Sequence, residues 1–171
     1  MRWSSFELEP QGSKSPGVDA ASVITAHQPT EDLGRRRIET IRSLGADVGL
    51  ELNLDRAHPV NTFDAHRVLQ YAATNGKADL ALESLLHGYH TAGRDIADPS
   101  VLIELSTNAG LDADEVEDVL QSERFVEDVR ADEALAHRRG IHGVPALVID
   151  DRRPVNLVES PEVLSDLLSP G

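Results

Sequence analysis

The 171 residues fit one domain, or one domain with a sizeable insertion, and 40% hydrophobic content with only 4% aromatics implies a core of Leu, Val, Ile and Ala. With 30 Asp and Glu against 16 Lys and Arg the formal charge is -14, which repels phosphates and anionic lipid, so neither nucleic acid nor a membrane surface is an expected partner. Cysteine is absent, which excludes disulfides, thiolate nucleophiles and Cys-ligated zinc or iron–sulfur sites within this polypeptide. Along the chain, Arg2 to Glu9 read as a short strand, with Phe6 and Leu8 alternating against Glu7 and Glu9. Pro10 to Gly17 is a loop by composition, and a helical region follows. Pro29-Thr30-Glu31-Asp32 marks a helix start, after which Leu33, Arg37, Ile41 and Leu44 share a face as far as Gly45. Gly49 to Leu54 alternates again and reads as extended.

Asn61 or Thr62 caps a helix carrying Phe63, Val68, Leu69 and Ala72, closed at Asn75-Gly76. The next helix runs from about Ala78 to Thr91, with Leu82, Leu85, Leu86 and Tyr89 on one face. Asp98-Pro99 places a cap before a proline at the first helical position, and Val101, Leu102 and Leu105 line that helix until Gly110. Asp112 and Glu115 stand at capping-box spacing ahead of Val116, Val119 and Leu120. A further helix is predicted from about Ser122 to Arg139, before Gly140. Ala146 to Asp150 is an apolar run of the kind found in buried strands; with a turn at Asp151 to Arg153 and a second strand at Val155 to Val158 it predicts a hairpin. Ser160-Pro161-Glu162 then starts a last helix containing Val163, Leu164, Leu167 and Leu168. The order is α/β with a large helical insertion.

Few side chains form a chemical constellation. His87 and His90 share a helix face, but no third ligand is evident and no metal site is assigned. Arg35, Arg36 and Arg37 read as a solvated helix face, as do the acidic residues Glu115, Glu117, Asp118, Glu127, Asp128, Asp132 and Glu133. Ser4 and Ser5 belong to no Ser-His-Asp arrangement that spacing can support. His137, near a helix C-terminus, suits dipole compensation. No run approaches the about 20 apolar residues that span a bilayer, and Met1 to Pro10 lacks the make-up of a signal peptide; the expected location is the cytoplasm.

Five stretches carry a resemblance. Trp3 to Pro10 (WSSFELEP), Asn61 to Arg67 (NTFDAHR), Gly93 to Ile96 with Val129 to Ala134 (VRADEA), and Gly143-Val144-Pro145 with its following strand occur in order. They resemble the DsbA-like thioredoxin-fold family in its FrnE-like cytoplasmic branch. The resemblance implies a thioredoxin-like α/β fold with an all-helical insertion. Residues 1–60 would form part of the thioredoxin-like unit, 61–139 the insertion and return helix, and 140–171 the cis-proline loop, hairpin and last helix.

In that family a strand, a CxxC motif and a helix precede the segment matched by Trp3 to Pro10. This sequence contains no such motif, so the resemblance implies an incomplete fold from a shortened gene model or a degenerate relative, and no catalytic residue. It also implies a cis Val144–Pro145 bond and a substrate-binding loop at Gly143, Val144 and Pro145, with the Val144 backbone pairing to bound peptide. His142 is an auxiliary candidate beside the absent thiols. The family chemistry is disulfide exchange with thiol- or disulfide-bearing proteins and peptides, without metal or organic cofactor. Lacking sulfur for it, the chain is expected to be redox-inert. The alternatives are a non-catalytic peptide-binding module and a kappa-type glutathione-dependent isomerase or transferase relative. The oligomeric state is left open.

Overall fold

The computed structural model describes residues 2–149, 154–156 and 165. Seven helices and one two-stranded sheet occur among them: α1 (Ala20–Ala26), α2 (Glu31–Asp47), α3 (Phe63–Thr74), α4 (Ala78–His90), α5 (Pro99–Asn108), α6 (Ala113–Gln121), α7 (Val126–Arg138), β1 (Ala146–Leu147) and β2 (Val155–Asn156). The strands pair antiparallel, Ala146 opposite Asn156 and Leu147 opposite Val155. Ser165, the one described residue of the predicted last helix, is helical; the rest of that helix and of the second strand lies outside the described residues.

Helices α3 to α6 follow their apolar periodicity, and α5 and α6 also their side-chain caps. Asp98 accepts the Ser100 amide and Asp112 the Glu115 amide, so each side-chain cap satisfies an N–H that the first turn leaves unpaired. On α3 it is Asn61, one residue before the geometric cap, that accepts the Phe63 amide at 3.1 Å. Two apolar clusters result. One gathers Val68, Tyr71, Ala72, Ala81, Leu111, Val116 and Val119, the other Val60, Ala65, Leu85, Ile96, Leu102 and Leu105, and Leu69 and Leu120 pack against both. At Gly88 a Cβ would lie 2.6 Å from Leu105 Cδ1, so any side chain there would force Leu105 to shift at the close crossing of α4 and α5.

Three predicted elements need correction. The helix expected from Ser122 begins instead at Val126. Ser122 is extended and Phe125 has φ 62°. The reason is the buried Arg67, whose guanidinium donates to the carbonyls of Val119, Ser122 and Arg124 and so ends α6 before a new helix can start. On α2 the leucine face is not the packed one. Leu33 and Leu44 are 44% and 62% exposed, whereas Gly34 and Gly45 are buried. A Cβ on Gly34 would meet Thr25 Cγ2 at 2.7 Å, so α1 can approach only the glycine face. These two helices pack on each other and on no other described helix. Their connections to the rest are local: Ala20 and Ala21 amides to the Ala57 and Leu54 carbonyls at 2.7 and 3.0 Å, and an Arg42–Asp55 ion pair.

Finally, residues 2–9 form no strand. Their alternation is real but inverted: Ser5 and Glu7 are buried while Leu8 is 63% exposed. No strand lies beside the segment among the described residues, and its polar groups turn instead towards polar side chains of α3 and α7.

Candidate functional site

After α7 the chain turns at Gly140 (φ 72°) and reaches a cis Val144–Pro145 peptide bond. His142, Gly143, Val144 and Pro145 are all exposed, and a Cβ added at Gly143 would meet nothing within 4 Å. Among the described residues no hydrogen bond occupies the Val144 backbone. Val144 is 47% exposed and lies between Gly143 and the proline that precedes β1.

Beside the loop lies a cleft of about 270 Å³. The N-terminal segment supplies Phe6, Glu7, Leu8 and Pro10, α7 supplies Arg130, Glu133 and His137, and His142 closes the end nearest the loop. Glu7 is the centre of its polar wall. The Glu7 side chain, 1% exposed, meets Arg130 Nη1 at 2.7 Å and accepts from Asn61 Nδ2 at 3.0 Å. The same Arg130 nitrogen meets Glu133 at 2.7 Å, and its guanidinium stacks 4.1 Å from the Phe63 ring centroid. The His137 ring tilts against Phe6, centroids 5.8 Å apart.

A second knot centres on the neighbouring residue of α7, Asp132. Asp132 accepts from Arg2 at 2.7 Å, from the Ser5 amide at 2.9 Å and from Gln70 at 2.8 Å. Gln70 also reaches Ser5 Oγ at 3.0 Å. Beyond this knot a larger hollow of about 430 Å³ is lined by Trp3 and Asp79 among others, and the Asp79 carboxylate accepts the indole N–H at 2.5 Å.

Burial leaves its mark on the ionisable groups. Loss of water pushes the Glu7 carboxyl above its ordinary value, with Arg130 pulling the other way and Glu133 adding to the rise. Loss of water also pushes the His66 imidazole down, against the opposing pull of Glu133, the Phe6 carbonyl and Asp132. In both groups burial favours the uncharged form.

The structure brings His142 to the cleft together with His137, but Val144 and Pro145 face solvent outside it. Asp132 and Glu133 are corrected from solvated acidic residues to buried or nearly buried anchors, at 5% and 13% side-chain exposure. Glu7, Asn61, His66 and Arg130 were not singled out from sequence as site residues. The available signal was their position inside the stretches WSSFELEP, NTFDAHR and VRADEA, which meet here although far apart in the chain. His87 is exposed and His90 half-buried, its imidazole pushed down by burial, and no group of metal-binding side chains occurs among the described residues. Arg35 and Arg36 pair with Glu31 and Asp32 on the exposed face of α2. No described helix is long and apolar enough to cross a membrane.

Comparison with known proteins accounts for the shared stretches. The family described as DSBA-like thioredoxin domain matches residues 1–169. The crystal structure of a probable DsbA oxidoreductase from Streptomyces coelicolor superposes with a TM-score of 0.90 at 30% identity, over 96% of this chain and 72% of that one. No curated protein matches the chain.

Proposed function

The chain belongs to the DSBA-like thioredoxin family, and from that membership we propose that it holds thiol- or disulfide-bearing proteins and peptides at the Gly143-Val144-Pro145 loop without performing the exchange itself. The observation that carries this reading is the absence of cysteine from all 171 residues. Thiol–disulfide exchange proceeds by thiolate attack on a disulfide sulfur through a mixed disulfide, so a polypeptide without sulfur nucleophiles cannot enter the cycle. The exposed position of Val144 and the absence of a backbone hydrogen bond to it among the described residues support the binding half of the proposal, because main-chain pairing needs no particular client side chain. His142 borders the space where a substrate sulfur would approach and serves as an auxiliary polar contact. The proposed compartment is the cytoplasm, that of the family branch the sequence resembles.

Insulin reduction by dithiothreitol tests the catalytic half: this polypeptide should leave the uncatalysed rate unchanged, and turnover would overturn the reading. Binding of a reduced, unfolded client peptide tests the other half. It should weaken in Val144→Pro, which removes the N–H and restricts the backbone at the pairing position. Equal affinity in that variant would remove the loop from the proposal.

A further inference from the structure

We propose that Asp132 and Glu133 stand in for a neighbouring strand along one edge of residues 2–9 and thereby block strand addition at that edge. Ser5 and Glu7 are two residues apart, so in extended chain their amides point to the same side. The Ser5 amide donates to Asp132 Oδ2 at 2.9 Å and the Glu7 amide to Glu133 Oε1 at 3.4 Å. The acceptors are consecutive residues of one helix, and a helix has no free backbone groups at mid-length to offer, so only side chains can fill this role. Both carboxylates are themselves held in place, Asp132 by Arg2 and Gln70 and Glu133 by Arg130.

A carboxylate is an acceptor only. It satisfies the strand's N–H groups but sets negative charge where an incoming strand would bring its carbonyl oxygens. The segment needs such a guard. Trp3, Phe6 and Leu8 give it strand-forming composition, and an open edge of that kind templates pairing with another chain. The occupant excluded is a second copy of the same segment, lying antiparallel to the first.

Amide hydrogen exchange at neutral pH on the full chain, read residue by residue, tests the device together with sedimentation. In Glu133→Ala the Glu7 amide should exchange about tenfold faster while Ser5 is unchanged, the effect expected for losing one charge-assisted bond. Glu133→Gln, which keeps an acceptor oxygen, should restore protection. In Asp132→Ala/Glu133→Ala both amides should open and the protein should sediment as a dimer or larger at a concentration where the wild type does not. A Glu7 amide that exchanges at the wild-type rate in Glu133→Ala would overturn the proposal. So would a double variant that opens both amides yet sediments like the wild type. The single variant leaves the Asp132 contacts intact and carries the test even if the double variant loses its helices.

Discussion

The helices α3 to α7 and the N-terminal segment touch each other but are held by different forces. Within the bundle, Val68, Leu102, Val116, Val119 and Val129 are fully buried, and apolar area removed from water stabilises it. Residues 2–9 bury Ser5 and Glu7 instead, and bonds to Asn61, Gln70, Arg130, Asp132 and Glu133 fix them. Helices α1 and α2 are a third case, packed on each other with Leu33, Leu44 and Val48 open to solvent. The lesson is that extended chain can be docked onto helices without a sheet, provided that helix side chains answer its backbone groups.

The contrast is broken most severely inside the bundle. Leu102→Ala removes a side chain with 0% exposure, and a cost of about 2–5 kcal/mol is expected from urea unfolding. A cost below about 1 kcal/mol would mean that the bundle core is not what stabilises it. Arg67→Met keeps the length of the side chain but strips the carbonyls of Val119, Ser122 and Arg124 of their donor and removes one of the two cations beside Asp64, Lys14 being the other. A loss of about 2–4 kcal/mol is expected in the same assay, and Arg67→Lys should recover only part of it, because an ammonium cannot reproduce the planar fork.

Much of the bundle was legible beforehand and much of the segment was not, for physical reasons. Asp98-Pro99 and Asp112 with Glu115 are local signals, readable within four residues. Glu7 looked solvent-facing because its partners, Asn61 and Arg130, lie 54 and 123 residues away. On α2 the apolar pattern pointed to Leu33 and Leu44, while the packed face is set by what Gly34 lacks. The acidic run of α7 reads as solvated until Arg2, Ser5 and Arg130 are placed beside it. Of the candidate site, the exposed 143–145 loop and His142 were named from sequence; the polar wall of the cleft required the fold.

Effects in the segment should be smaller and should carry opposite pH signatures. The Glu7 carboxyl is raised above its ordinary 4.5, mainly by burial, so its protonated form favours the folded state. Wild-type stability from this group is present at low pH and is lost as pH rises through the raised value. Glu7→Gln removes that loss, so the variant should compare better with wild type at pH 7 than at pH 4. The reverse trend in paired denaturation curves would contradict the burial of Glu7. His66 is lowered from its ordinary 6.5, again mainly by burial. Its contribution is therefore present above 6.5 and is lost as pH falls through the lowered folded value. His66→Gln should flatten the stability profile in that acidic window, and an unchanged slope would show that burial does not disfavour the charged ring. At the exposed leucines the effect should nearly vanish: Leu44→Lys is expected to change stability by no more than about 0.5 kcal/mol. A larger loss would reveal that this face of α2 is covered.

Trp3 is the only tryptophan and lies in the segment, so its fluorescence follows the segment while far-ultraviolet ellipticity follows the helices. Recording both through a urea titration, with and without 1 M sodium chloride as a screen of roughly 3 Å Debye length, tests most directly whether charged contacts hold the segment. The account predicts that the Trp3 transition comes first and that salt moves it to lower urea while the helical transition changes less. Two coincident transitions, equally indifferent to salt, would contradict it.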